Sequence, residues 1–204
     1  MAFWIVSGAP SNGYVTDIDT EKKITPTVTN YLGLDKNNIF NQTVAAPDKA
    51  LLDSLSSRGF ILNRLMRDNY FMDANFSLSE RSLQASDVEL LKGLKEQLVW
   101  LNLAHSKTTD AHLAQIGKLE NLVRLDLSGN AITDNGLQHL SALKNLEALN
   151  LYDTRVSKGL LTLVSQLGRL KKVYLWQTQV NDTLARQLQR QNKNLSVIYE
   201  RSEL

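Results

Sequence analysis

Four segments of this chain superimpose at intervals of 24 residues. They are Leu98-Val-Trp-Leu101-Asn-Leu103-Ala-His-Ser106, Leu122-Val-Arg-Leu125-Asp-Leu127-Ser-Gly-Asn130, Leu146-Glu-Ala-Leu149-Asn-Leu151-Tyr-Asp-Thr154 and Leu170-Lys-Lys-Val173-Tyr-Leu175-Trp-Gln-Thr178. A fifth copy, Leu195-Ser-Val-Ile198-Tyr-Glu200, follows after 25 residues and departs from the pattern at Glu200. In the other direction, Phe76-Ser-Leu78 precedes Leu101-Asn-Leu103 by 25 residues, so residues 71–97 read as a degenerate first copy. Between these segments a second apolar set recurs at the same interval: Leu113, Leu137, Leu161 and Ala185; Ile116, Leu140, Val164 and Leu188; Leu119, Leu143 and Leu167. Apolar groups that recur in columns stack like on like. One unit of two dozen residues cannot bury enough apolar surface to offset the entropy of ordering it, so it must pack on its neighbours.

This pattern resembles the leucine-rich repeat, L-x-x-L-x-L-x-x-N/T followed by a helix. The resemblance covers roughly residues 70–200 and is closest to bacterial repeats of the ribonuclease-inhibitor-like class. Leu149-Asn-Leu-Tyr-Asp-Thr-Arg-Val156 and Val173-Tyr-Leu-Trp-Gln-Thr-Gln-Val180 are similar to repeat domains appended to bacterial membrane-associated proteins that also carry c-type cytochrome domains. The stretch from Val44 to Trp100 is similar to the lead-in of those domains. The resemblance implies a right-handed α/β solenoid, with parallel strands on the concave face, helices on the convex face and an α/β N-terminal cap. It also implies a place in the bacterial cell envelope or periplasm, as a detached module or a piece of a longer protein.

The organisation follows from where the pattern starts. All three prolines, Pro10, Pro26 and Pro47, lie before it. Residues 1–46 read as an extended arm or linker, with a short strand conceivable at Phe3 to Val6. The acids Asp17, Asp19 and Glu21 lack the partners of a calcium loop, since Lys22 and Val28 stand where a Gly and an acid belong. The repeat domain spans 47–204. Its cap, 47–70, holds a helix from Asp48 to Ser57, stopped by Gly59, and a strand from Phe60 to Met66. Tyr70 to Leu78 alternates as a half-buried strand with Met72, Ala74, Phe76 and Leu78 inward. Ser86 to Glu96 is helical. Four repeats of 24–25 residues fill 98–194, and 195–204 ends the stack. Thr109, Thr133, Ser157 and Asn181 are expected N-caps, with Asp110, Asp134 and Asp182 in the first helical turns. Ser106, Asn130, Thr154 and Thr178 are placed to satisfy backbone groups of adjacent turns.

Composition removes several functional classes. The chain has no cysteine, which excludes thiol nucleophiles, disulfides and haem attached through Cys-x-x-Cys-His. With 23 basic and 21 acidic residues the net charge is +2, too balanced for an electrostatic nucleic-acid binder. No apolar run approaches the ~20 residues of a membrane span, so no membrane insertion by this chain is expected. His105, His112 and His139 fall at unlike repeat positions and at no metal-ligand spacing. No phosphate loop, nucleophile elbow or carboxylate pair stands out, so neither catalysis, metal nor cofactor is expected.

What remains is the face written by residues between the buried leucines. One column reads Ser77, Asn102, Asp126, Asn150, Tyr174, Tyr199; the one before it Asn75, Trp100, Arg124, Ala148, Lys172, Val197; the one after it Ser79, Ala104, Ser128, Tyr152, Trp176, Arg201. Aromatic residues gather toward the C-terminal end, and strands about 4.8 Å apart would bring them into one patch. Trp100, Arg124, Tyr152, Lys172, Tyr174, Trp176 and Tyr199 are therefore the expected contacts of a protein or peptide partner, the rings as anchors and the cations for orientation. The competing readings are carbohydrate recognition on the same rings, a structural spacer on a redox or membrane protein, or rings that only pack on each other, cover a sheet edge or touch the N-terminal arm.

Overall fold

The computed structural model describes residues 39–199. The chain forms two compact units, Met1–Asn41 and Gln42–Leu204. Of the first, the 3-10 turn Ile39–Asn41 lies among the described residues. The expected arm therefore falls mostly outside them, as do the strand considered near Phe3 and the acids Asp17, Asp19 and Glu21. So do Glu200 and Arg201.

The second unit opens with α1, Lys49–Ser57, whose N-cap Asp48 accepts the amide of Ala50 at 2.8 Å. Gly59, at φ +95°, turns the chain out of the helix, a conformation that suits glycine. Next come β1, Ile61–Arg64, and β2, Met72–Asn75. After these, strand and helix alternate: α2 Ala85–Leu91, β3 Leu98–Asn102, α3 Asp110–Ile116, β4 Arg124–Asp126, α4 Asp134–Leu137, β5 Ala148–Asn150, α5 Gly159–Gln166, β6 Lys172–Tyr174, α6 Asp182–Gln191 and β7 Ser196–Ile198. Short 3-10 segments, Lys92–Leu94 and Gln138–Ala142, extend α2 and α4. The strands form one sheet in chain order. β2 to β7 are parallel, and β1 is antiparallel to β2. Each crossover passes through a helix on the other face and winds right-handed. The architecture is the expected α/β leucine-rich repeat solenoid, its cap a hairpin with a helix rather than another parallel strand.

The core is the interior of this coil. Leu98, Leu122, Leu146 and Leu170 are buried, as are Leu101, Leu125, Leu149 and Val173, and Leu103, Leu127, Leu151 and Leu175. The helical columns meet them: Leu113, Leu137, Ile116, Leu140, Val164 and Leu188 are all sealed, while Leu161 is only partly buried and Leu160 takes the inward place in α5. Strand register is 24 residues from β3 to β7, with Trp100 beside Arg124, Arg124 beside Ala148, and Ala148 beside Lys172.

Both ends depart from the expected register. A bulge between Met72 and Asp73 shifts the first pairing, so Asp73 lies beside Trp100 and Asn75 beside Asn102. Phe76 therefore plays the part of Leu103, not Leu101, and Leu78 points out, 72% exposed. The strand stops at Asn75 because its Oδ1 accepts both the amide and the hydroxyl of Ser77. At the far end Ser196 lies beside Lys172 and Ile198 beside Tyr174. Val197 is buried beside Val173, and Tyr199 packs against the core in the place of Leu175. The last strand thus keeps the 24-residue interval, not the 25 expected, and Tyr199 holds the leucine position.

Polar side chains lock the turns together. Asn130 donates to the carbonyls of Leu103, Leu127 and Ser128 and accepts the amide of Thr108, joining two successive turns while buried. Ser106, Thr154 and Thr178 donate back to Leu103, Leu151 and Leu175, each within its own turn. The Asp column does more than start helices. Asp110 accepts the amide and hydroxyl of Thr133 in the next repeat at 2.9 and 2.5 Å. Asp134 does the same for Ser157 at 2.7 and 2.6 Å. Thr133 also caps α4 through the amide of Asn135, but Ser157 is not an N-cap: α5 begins at Gly159, with Lys158 in the capping place. Burial pulls the Asp134 carboxyl upward. The hydrogen bonds from Ser157 and Gly159, with the charge of Lys158, outweigh it and hold the group below the ordinary carboxylate range.

At the N-terminal end, Asp87 is fully buried. It accepts from Arg58 at 2.9 Å, from Arg81 at 3.4 Å and from the amide of Gln84 at 2.9 Å, tying cap, loop and α2 together. The segment just before the cap is pinned as well. Val44 donates its amide to Asn69, and Gln97 donates to the carbonyl of Ala45. One backbone feature recurs in every turn: His105, Gly129, Asp153 and Gln177, spaced by 24, all have left-handed φ between +51° and +66°. In the first three the amide donates to the following turn, at the carbonyls of Ser128, Tyr152 and Trp176. The ring of His105 lies where a Cβ on Gly129 would fall, 2.1 Å from its Nδ1.

Candidate functional site

The strand face carries two columns of outward side chains, with a third just past the strand ends. The first runs Asn63, Asp73, Trp100, Arg124, Ala148, Lys172, Ser196, and the second Ile61, Asn75, Asn102, Asp126, Asn150, Tyr174, Ile198. The third runs Ser77, Ala104, Ser128, Tyr152, Trp176, as the repeated turn hydrogen bonds show.

The N-terminal part of this face is occupied with itself. In the second column the side-chain oxygens of Asn75, Asn102, Asp126 and Asn150 each accept the amide two residues on, at 2.9 to 3.0 Å. Asp126 also accepts from the Ser128 hydroxyl at 2.6 Å and from Asn150 Nδ2 at 2.9 Å. These groups look like free polar contacts in the sequence but are turn-formers. The guanidinium of Arg124 lies over the ring of Trp100, 4.5 Å from its centroid. The indole N–H of Trp100 is buried without a hydrogen-bond acceptor. Beside it, burial pushes the Asp73 carboxyl up, and the amide of Asn63, 3.3 Å away, only partly offsets this.

The C-terminal part is different. Tyr152 and Trp176 stack with centroids 5.0 Å apart and planes 7° from parallel. Tyr174 stands between them and the half-exposed Ile198. Tyr152, Tyr174 and Trp176 are all partly exposed, and Lys172 is exposed on the same strand as Tyr174. Residues at i and i+2 share a strand face, so this cation adjoins the rings. Six of the seven expected contacts thus lie on the strand face: Tyr152, Tyr174, Trp176 and Lys172 as one group, Trp100 and Arg124 as another. Tyr199 is the exception. It turns inward because the last strand keeps its register, and Ile198, which the sequence pattern did not single out, takes the outward place.

Past the strand ends an open groove of about 420 Å³ runs along the turns of three repeats, with Asn130, Asp153, Arg155, Gln177 and Gln179 among its lining. At the strand starts Lys171 pairs with Glu147 at 3.1 Å. Burial raises the Glu147 carboxyl, opposed by Lys171, Arg169 and Arg124.

On the helix side, Thr109 donates its amide to Nδ1 of His112 at 3.1 Å, so the imidazole closes the helix start and its Nδ1 must be unprotonated. Burial lowers the affinity of His112 for a proton, partly countered by the charge of Asp87. His105 and His139 are exposed. Among the described residues, no three His, Asp or Glu side chains converge as metal ligands. Nor is any described helix long and apolar enough to cross a membrane.

Fold, register and turn chemistry together define a leucine-rich repeat solenoid. The leucine rich repeat family model matches residues 96–156, less than half of the chain. Among solved structures the chain is similar to an internalin from Listeria monocytogenes, at 22% identity and a TM-score of 0.45. That likeness covers 55% of this chain and 32% of the internalin. Among curated proteins none matches. Leucine-rich repeat domains are typically interaction modules rather than enzymes.

Proposed function

We propose that this domain binds a protein or peptide partner on its strand face, without catalysis, and that Tyr152, Tyr174 and Trp176 anchor the partner while Lys172 and Arg124 orient it. The observation that carries this reading is the Tyr152–Trp176 stack, left partly exposed beside Tyr174 and an exposed Lys172. Aromatic groups held by a strand and by each other's rings offer large contact area at little entropic cost. Trp100 with Arg124 forms a second contact toward the N-terminal end. The resemblance to cytochrome-associated repeat domains supports residence in a bacterial cell envelope, as a module of a larger protein. The groove beside the stack gives a carbohydrate ligand some support.

The test is the variant Tyr174→Ala/Trp176→Ala. It should weaken capture of a partner from the native host by more than about tenfold. Thermal unfolding should move little, since an aromatic pair adds only about 0.5–1.5 kcal/mol beyond its buried area. Binding unchanged in a folded variant would refute the reading. A glycan array that responds to the same variant would replace the protein partner with a sugar.

A further inference from the structure

Charge is distributed unevenly along the solenoid. Residues 144–199 hold nine Lys and Arg (Lys144, Arg155, Lys158, Arg169, Lys171, Lys172, Arg186, Arg190 and Lys193) against three acids, Glu147, Asp153 and Asp182. Residues 47–143 hold ten Lys and Arg against twelve Asp and Glu. The chain-wide balance conceals a basic C-terminal part behind a slightly acidic N-terminal one. Two of the three acids in the basic part are already committed, Glu147 to Lys171 and Asp182 to Arg186. Lys172 and Arg155 enter no ion pair among the described residues and are exposed. Their places matter. Lys172 opens the strand that carries Tyr174, and Arg155 lines the groove just past Tyr152, so the cations lie at both ends of the ring cluster. Opposing charge on this face comes from Asp126, whose carboxylate is held by Ser128 and Asn150, and from Asp153.

We propose that the strand face of the last repeats takes an acidic polypeptide segment, its carboxylates meeting Lys172 and Arg155 and an apolar side chain covering Tyr174 and the Tyr152–Trp176 stack. This rests on the binding reading above and adds the chemistry of the partner. Charge complementarity argues for it: residues 144–199 carry nine basic against three acidic side chains, an excess that repels basic segments and steers acidic ones. The rings argue against a nucleic acid. Tyr152 and Trp176 each cover one face of the other at a spacing that admits no base between them, whereas single-strand binding needs open faces for successive bases.

The experiment pans a phage-displayed random dodecapeptide library against the full chain. It then measures one enriched peptide, poly-L-glutamate, poly-L-lysine and a 20-nucleotide oligo-dT by fluorescence anisotropy. Enriched peptides should combine Asp or Glu with an aromatic or aliphatic residue. Their affinity should fall at least tenfold in Lys172→Glu or Arg155→Glu, and several-fold between about 0.05 and 0.5 M salt, as screening demands. Neutral or basic peptides that still depend on Trp176 would overturn the acidic partner and leave the binding face standing. So would acidic peptides indifferent to both charge reversals. Oligo-dT bound more tightly than any peptide would overturn it in favour of nucleic acid. No enrichment and no binding of any probe would remove the binding face and this proposal together.

Discussion

The two ends of the strand face use the same positions for opposite purposes. From Asn75 to Asn150 the middle column spends its polar groups on the molecule's own turns, and Asp126 is shared between Ser128 and Asn150. From Tyr174 onward the column carries side chains too large and too apolar to close such a turn. They stand at least partly exposed next to cations that enter no ion pair among the described residues. A residue between buried leucines is thus either mortar or contact surface. What separates the two is whether its oxygen can reach the amide two residues on. Variants in the first group should change stability without changing binding, and variants in the second should do the reverse.

The largest effect is expected at the N-terminal end. Asp87→Ala leaves Arg58, Arg81 and the Gln84 amide without their common buried acceptor. A loss of about 3 kcal/mol in urea unfolding is expected, with binding unaffected in the folded fraction. Asn130→Ala should cost about 2–3 kcal/mol, because the buried groups of two turns lose their partner. Thr178→Ala, which breaks two bonds within one turn, to the carbonyl of Leu175 and from the amide of Val180, should cost about 1 kcal/mol; equal losses at the two sites would mean that Asn130 does not bridge turns. Asp126→Ala should cost about 1–2 kcal/mol and leave peptide affinity unchanged. A tenfold affinity loss there would blur the division between the two ends. Gln177→Gly relieves a left-handed φ of +56° and should stabilise the fold by about 0.5–1 kcal/mol. The smallest effect is in pH. The proton affinity of His112 is lowered on folding. The unfolded chain therefore binds the extra proton first, and the contribution present above about pH 6.5 is lost as pH falls below it. His112→Gln should flatten that part of the stability–pH curve.

Much of this was legible beforehand. The repeat, the parallel sheet and the buried columns follow from leucine spacing alone, because apolar periodicity maps directly onto what must face inward. Five of the expected contacts, Trp100, Arg124, Tyr152, Tyr174 and Trp176, sit on the strand face for the same reason, as does Lys172. Three things were not legible. The bulge at Met72 and the unbroken interval to Val197 are set by pairing rather than by residue type, so Leu78 and Tyr199 were assigned to the wrong sides. The pairing of Asp134 with Ser157 looks identical, in sequence, to a hydroxyl capping its own helix, as Thr133 does while also pairing with Asp110. The charge asymmetry could be counted from the letters, but a net value of +2 averages it away.

The left-handed kink at residues 105, 129, 153 and 177 has a consequence for how such a molecule can grow. Only one of the four is glycine, so the bend is imposed by adjoining coils rather than chosen by the residue that makes it. No single coil therefore encodes the length of the stack. Duplicating residues 130–153 would insert a cassette that inherits its shape from both flanks. It would move the first and last strands apart by about one strand spacing, ~4.8 Å, without changing either.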